Sequence, residues 1–331
     1  MDYDNDGIQD FISGSYDPGD VYWIRGLGEG KYAEVKSISD QEGVPLVHHP
    51  VEMKRHLDRK EKNEAEGEAN QDDAMNDQLA SFGSWAAMMD WDDDGDLDML
   101  IGAFDGSLFR RMNVGTRSDP KWSSESVPVL AGGKPLHVHH HANPVVADWN
   151  DDGLQDLVVG AGDGSVGWFQ NVGSASKPEF DERQQLIEGP STSIFVQQYL
   201  SERASRAPGT RAQICVHDYN HDGHLDLLVG DYSDVYDLPD QTTKQRKKLA
   251  MLVKKQNTIA EKVAAAQDRI SKAFKSGDMT NDQAQAEMEE IYAEVKSEFG
   301  GEEDPMGKLL GKSRVSGSVW LYLRKPSTTI D

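Results

Sequence analysis

Four short apolar runs stand out from an otherwise polar chain: Phe11-Ile12-Ser13-Gly14, Met99-Leu100-Ile101-Gly102, Leu157-Val158-Val159-Gly160 and Leu227-Leu228-Val229-Gly230. Each is mostly branched or bulky and closes on glycine, which predicts a short buried strand rather than a helix. Apolar stretches at residues 85–89, 144–147 and 214–216 predict a partner strand before the last three runs. Nothing comparable precedes the first run, so upstream strands, further repeats and a leader are expected before the given start. After the second and third runs come the turn signals Asp105-Gly106 and Asp163-Gly164, then strands expected at 107–113 and 165–171. Outer strands are expected near 122–129 and 178–180. Asn113-Val114-Gly115 and Asn171-Val172-Gly173 repeat at matching places.

This spacing, about 60 residues with four short strands per unit, suggests all-β architecture built from β-propeller blades. One such sheet cannot bury both faces alone, so neighbours must stack. The expected layout is blade 1 over 1–40, lacking its first strand, with strands at 10–14, 20–25 and 32–38 and a Pro18-Gly19 turn. A polar insertion follows over 41–80, charged and poor in apolar anchors. Blade 2 covers 81–135, blade 3 covers 136–205, and blade 4 is split between 206–239 and 313–325. Between its halves, 240–312 turns helical. Leu249, Leu252, Val253, Ile259, Val263, Ile270 and Phe274 recur at helical spacings, Gly277-Asp278 breaks the pattern, and Thr280 caps a second helix ending before Gly300-Gly301. The reading is an antiparallel helical hairpin, either a surface decoration or an arm for a partner or self-association. The strand pattern resumes at 316–323, which resembles 164–169.

Ahead of each apolar run sits an acidic loop. The four read Asp2-Tyr3-Asp4-Asn5-Asp6-Gly7-Ile8-Gln9-Asp10, Asp90-Trp91-Asp92-Asp93-Asp94-Gly95-Asp96-Leu97-Asp98, Asp148-Trp149-Asn150-Asp151-Asp152-Gly153-Leu154-Gln155-Asp156 and Asp218-Tyr219-Asn220-His221-Asp222-Gly223-His224-Leu225-Asp226. Oxygen-bearing side chains recur at positions 1, 3, 5 and 9, with glycine at position 6 for a sharp reversal. Such a layout suits Ca²⁺, which takes six to eight oxygens. The candidate side-chain ligands are Asp2, Asp4, Asp6 and Asp10; Asp90, Asp92, Asp94 and Asp98; Asp148, Asn150, Asp152 and Asp156; Asp218, Asn220, Asp222 and Asp226. Position 7 (Ile8, Asp96, Leu154, His224) would offer its carbonyl. An EF-hand is excluded, because position 12 is Ser13, Ile101, Val159 or Val229 instead of a bidentate Glu, and strands rather than helices flank the loops. An aromatic residue at position 2 predicts packing between blades, or stacking on sugars where exposed.

Composition sharpens this reading. Net charge is −24, and the loops hold 17 of the 58 acidic residues, which argues against nucleic acid and against anionic membranes as partners. No apolar run approaches a membrane span. Cys215 is the single cysteine, so calcium rather than disulfides would staple the fold; its apolar neighbours predict a buried thiol.

The motif D-x-[DN]-x-D-G-x-x-D followed by two apolar residues and glycine, and then a Gly-Ser-[VL] strand, resembles the FG-GAP/VCBS repeat family, the calcium-binding propeller repeats related to the integrin α-subunit N-terminal domain. The resemblance implies the same ligand set, with the loop joining the first two strands of a blade. Full rings in that family usually have seven blades, so four copies imply an incomplete one. The family's other signatures are only partly kept (Phe82-Gly83, Gly102-Ala103-Phe104, Gly160-Ala161-Gly162).

One cluster lies outside the motif. His137, His139 and His141 alternate just upstream of the third loop, so on a strand they would share a face and suit a second metal or acid–base chemistry; otherwise they are a solvated turn. His48-His49 is a weaker echo. Two functions follow as expectations: a non-catalytic calcium-binding module that takes protein or carbohydrate ligands at the cell surface, outside the cell or in the periplasm, or a sugar- or polysaccharide-processing lyase or dehydratase using the cluster from His137 to His141.

Overall fold

The computed structural model describes residues 1–16, 19–50, 53–54, 58, 83–189, 208–237, 242–276, 279, 281–298 and 312–324. Its strands are β1 (Phe11–Gly14), β2 (Val21–Ile24), β3 (Gly26–Gly28), β4 (Lys31–Tyr32), β5 (Lys36–Ser37), β6 (Ser84–Met89), β7 (Asp98–Ala103), β8 (Leu108–Arg111), β9 (Val127–Pro128), β10 (Leu130–Ala131), β11 (Lys134–Pro135), β12 (Asn143–Ala147), β13 (Asp156–Gly160), β14 (Val166–Phe169), β15 (Gln184–Ile187), β16 (Thr210–His217), β17 (Asp226–Asp237), β18 (Lys312–Ser316) and β19 (Val319–Tyr322). Among the described residues, the helices α1 (Thr243–Ser276) and α2 (Asn281–Glu298) lie between β17 and β18 in the chain. The protein is mostly β-sheet with few helices. Most of the expected polar insertion, Phe82, Pro18, the Gly277-Asp278 break, Thr280 and Gly300-Gly301 fall outside the described residues.

The second and third repeats fold alike, as antiparallel sheets in the orders β6-β7-β8-β9 and β12-β13-β14-β15. The first gives β1-β2-β5. In the fourth, β16 neighbours β17, and β19 pairs the near half of β17, with Leu227 opposite Tyr322 and Gly230 opposite Val319. The outer strand expected near 122–129 forms at the far end of that range, as β9, whereas the one expected at 178–180 does not form there. Trp122 makes only isolated bridges to Asn113 and Asp40, and the short β9 lies beyond it. Phe180 bridges Asn171 and Ala131, while the fourth strand of the third sheet forms later, at β15.

The continuous apolar runs are explained by packing on both faces. From β7, Met99 and Ile101 join Tyr3, Val21 and Trp122 in one core, whereas Leu100 joins Leu157 and Val159 of β13 in the next. Val158, facing the other way, packs with Ala212, Ile214, Leu227 and Val229. Alternate side chains of one strand thus serve two cores, which requires both neighbours to be apolar.

The glycine that closes each run has a related cause. A Cβ at Gly14 would lie 1.9 Å from the carbonyl oxygen of Ser84, and one at Gly102 would lie 1.9 Å from that of Ala142. At Gly160 the corresponding approach is 2.5 Å, to Ala212. The first strand of each following repeat crosses where no side chain fits. Gly230 meets only ordinary contacts, the nearest at 3.5 Å, and among the described residues no repeat follows it.

One further tie crosses the first two repeats. Arg111 is wholly buried, donates to the carbonyls of Val47 and Ser123, and pairs with buried Asp40 at 2.9 Å. Cys215 corrects the expectation of a buried thiol. On β16, Ala212 and Ile214 face the core, so the odd-numbered Cys215 between them and Val216 faces solvent.

By contacts the chain divides into two units: Met1–Gly189 with Thr210–Asp231 and Val319–Asp331, and Pro190–Gly209 with Tyr232–Ser318. The second contains α1 and α2. Thr242 and Gln245 form a reciprocal capping box at the start of α1, with Gln245 N–H to Thr242 Oγ1 at 3.3 Å and Thr242 N–H to Gln245 Oε1 at 2.9 Å. The helices run antiparallel, since Lys262 pairs with Glu294 and Arg269 with Glu287. Among the described residues no helix is long and apolar enough to cross a membrane.

Candidate metal centre

All four acidic loops close through one hydrogen-bond scheme. The first aspartate accepts from the backbone N–H groups of positions 5 and 6, and the fifth accepts from position 7. In the first loop, Asp2 takes Asp6 at 3.1 Å and Gly7 at 2.9 Å, and Asp6 takes Ile8 at 2.9 Å. Asp90 with Asp94, Asp148 with Asp152, and Asp218 with Asp222 repeat it within 0.1–0.2 Å: the corresponding bonds are 3.1, 3.0 and 2.9 Å; 3.0, 2.9 and 2.9 Å; and 3.1, 3.0 and 3.0 Å. Glycine at position 6 has φ of 87–92°, the left-handed region it was expected to supply. Position 4 is left-handed too, with φ of 58–64° at Asn5, Asp93, Asp151 and His221. The spacing alone does not announce this second reversal, although Asn and Asp tolerate it best.

The ninth aspartate does more than close a ligand ring. One oxygen accepts from the N–H of position 2: Tyr3 to Asp10 at 2.9 Å, Trp91 to Asp98 at 3.0 Å, Trp149 to Asp156 at 3.2 Å and Tyr219 to Asp226 at 3.0 Å. The other accepts from the chain leaving the third strand, at Gly26, Asn113, Asn171 and Arg324, over 2.6–2.8 Å. Each loop is thereby tied to its own sheet before any ion is considered. These four carboxylates are all buried, and burial raises Asp156 and pushes Asp98 up to about 6, aided by Asp92 and Asp96 and opposed by the donated N–H groups.

The oxygens that remain converge. Asp2, Asp4 and Asp10 bring ligand atoms within 4.8 Å of one another, as do Asp90, Asp92 and Asp94. Asp4 Oδ1 is buried and finds no hydrogen-bond partner among the described residues. An oxygen-only set with an unmatched buried acceptor fits a hard divalent cation.

Charge is compensated differently in each loop. The position-7 N–H groups of Leu154 and His224, and then Asn150 and Asn220 donating at 2.7 and 2.9 Å, lower the Asp152 and Asp222 carboxylates. In the first loop Arg25 bridges Asp4 at 2.7 Å and Asp6 at 2.8 Å. In the second, burial and then Asp94, Asp92 and Asp90 raise Asp96. At position 7 the side chain of His224 reaches Asp151 at 3.2 Å. Of the position-2 aromatics, Tyr3 and Trp149 are buried, Trp91 packs against the core, and Tyr219 is 56% exposed.

Residues 148–229 match the family model of an FG-GAP-like repeat. Over that stretch the chain is similar to an FG-GAP-like repeat. The FG-GAP-like match starts on the first aspartate of the third loop and ends four residues into the strand after the fourth. The first two loops lie outside it yet share its hydrogen bonds to within a few tenths of an ångström. No curated protein matches the chain.

The histidines are not arranged as their alternation suggested. His137 bridges Ser107 and is exposed. His139, His140 and His141 form a bend, with φ of 36° and 51° at the last two, so consecutive rings meet instead of alternate ones. Ring centroids are 4.4 Å apart for His139–His140 and 4.7 Å for His140–His141. His48 and His49 lie together against Phe109.

Proposed function

We propose that the four loops are Ca²⁺ sites and that the sheets are blades of a non-catalytic β-propeller-type module, serving to bind protein or carbohydrate outside the cytosol. The observation that supports this most is the fourfold recurrence of one loop geometry, with carboxylate oxygens converging in the first two loops. Asp4, Asp92, Asn150 and Asn220, with the first and fifth positions and the position-7 carbonyls of Ile8, Asp96, Leu154 and His224, would hold the ion, and the ninth aspartate would contribute while anchoring the loop. The bound ion supplies charge neutralisation among carboxylates that otherwise repel. The consecutive stacking of the sheets in chain order supports blades in series. Weak sites of this kind suit extracellular calcium, where modules bind at roughly 10⁻⁴–10⁻³ M.

The test is thermal unfolding in chelator and in excess calcium, with calorimetric titration of metal-free protein. At a hundredfold excess over Kd, one site adds about 2.7 kcal/mol, or roughly 5–11 °C for a unit of this size. Identical melting in both conditions, with no heat of calcium binding, sinks the proposal.

A further inference from the structure

Among the described residues, the histidine bend at 139–141 is a titratable cluster outside the acidic loops. Nδ1 of His140 and Nδ1 of His141 face each other 2.5 Å apart, at the end of β12 remote from the third loop. Neutral imidazole carries one ring proton, so two opposed nitrogens share one hydrogen or set two lone pairs against each other. A cation between them satisfies both.

The surroundings are shaped around this pair. His140 and His141 both adopt left-handed backbone, a conformation that costs energy for residues with a Cβ and collects at functional sites. Gly162 fixes the bend, its N–H reaching the carbonyls of His139 at 3.0 Å and His140 at 2.7 Å. A Cβ at Gly162 would lie 1.8 Å from His140 Nδ1 and 2.6 Å from His141 Nδ1, so only glycine leaves room beside the two nitrogens. His141 is buried among Tyr16, Trp85 and Phe104, and its Nε2 has no hydrogen-bond partner among the described residues. With Nδ1 as the donor atom, the Nε2 proton is left facing aromatic rings, where an N–H···π contact is its outlet. Burial first, then neighbouring imidazoles, hold both rings near pKa 4, the unprotonated form a ligand needs. Arg211 acts in the same direction, and Asp163 opposes it at His140.

We propose that His140 Nδ1 and His141 Nδ1 form a two-imidazole site for a borderline transition cation, Zn²⁺ or Cu²⁺, with water or an exogenous ligand completing its coordination. The nitrogen donors distinguish it from the oxygen-lined calcium loops. A Zn–N distance of 2.0–2.1 Å in tetrahedral geometry sets two nitrogens about 3.3 Å apart, so the rings open by about 0.8 Å. Ligation falls to neighbouring His140 and His141 rather than to the alternating set His137, His139 and His141.

Full-length protein stripped of metal and held in excess calcium is titrated with Zn²⁺ by calorimetry, and separately with Cu²⁺ by electron paramagnetic resonance. One equivalent is expected, with nitrogen hyperfine structure from two imidazoles. His140→Ala should weaken binding by at least about tenfold, and His137→Ala should leave it unchanged. His141→Ala is read only if circular dichroism shows it folded; His140 is half-exposed and provides the test otherwise. No saturable binding to the wild type, or wild-type affinity in His140→Ala, overturns the assignment.

Discussion

Replacing Asp156 with alanine separates the two roles of the ninth loop position. Its carboxylate is fully buried and accepts three N–H groups: Trp149 at 3.2 Å, Asn171 at 2.7 Å and the Trp168 indole at 3.0 Å. Each buried donor left unmatched costs about 1–3 kcal/mol. Against that, the raised pKa of Asp156 shows that holding the carboxylate ionised in this place is itself unfavourable, so part of the loss returns. The net expectation is about 3 kcal/mol at neutral pH in the presence of chelator. For a unit of this size that lowers the melting temperature by roughly 6–12 °C. Asp156→Asn should fall between, because an amide oxygen replaces one acceptor while its NH₂ opposes a donor. The assay is urea and thermal unfolding of wild type and variants with all divalent ions removed. A difference below about 1 kcal/mol under those conditions would mean the carboxylate acts only through a bound ion, and the lock assigned to it would be wrong.

Two other perturbations test the rest of the fold. Arg111→Met strands the buried Asp40 carboxylate and should cost about 3–5 kcal/mol in urea unfolding, and adding Asp40→Asn should restore at least half, since the amide oxygen still serves the N–H groups of Glu42 and Val44. The depressed histidines predict an acid limb. Their folded pKa values, about 4, lie below the ordinary 6.5, so the neutral form is favoured on folding. The stability they contribute is complete above pH 6.5 and is lost as pH falls toward 4. In metal-free protein the urea midpoint should drop across that window, and the drop should be shallower in His140→Ala.

Much of this was legible in the sequence because the loops and the strands after them obey local rules. A glycine at position 6, alternating oxygens and a branched apolar run each leave a signature in consecutive residues. The closing glycines Gly14, Gly102 and Gly160 were visible as a regularity, but the cause, a backbone from the next repeat, is non-local. The outer strand near 122–129 was right only in its far end, β9, and none forms at Phe180, because Trp122 and Phe180 read as strand formers when their work here is to plug a core and make single bridges. Alternating histidines implied a strand, and two left-handed residues made a bend instead; histidine tolerates positive φ better than most residues, but spacing alone does not say where it will adopt it. Arg25 and Arg111 were invisible as partners because long side chains choose carboxylates by proximity in space. Cys215 was judged by its apolar neighbours, though strand alternation turns it outward.

Two other arginines carry a consequence for how the array comes apart. Arg117, from the second repeat, grips the backbone carbonyls of Asp2 and Tyr3 in the first loop. Arg324, from the fourth, grips the carbonyl of Trp149 in the third. In both cases the later repeat clasps the earlier one, and the clasp has a direction. Losing either neighbour bares a shared core, but losing a downstream unit also unfastens the loop behind it, whereas losing an upstream unit leaves the next loop's carbonyls held. Fraying should therefore travel from the carboxyl end toward the amino end, like a zip with a single slider.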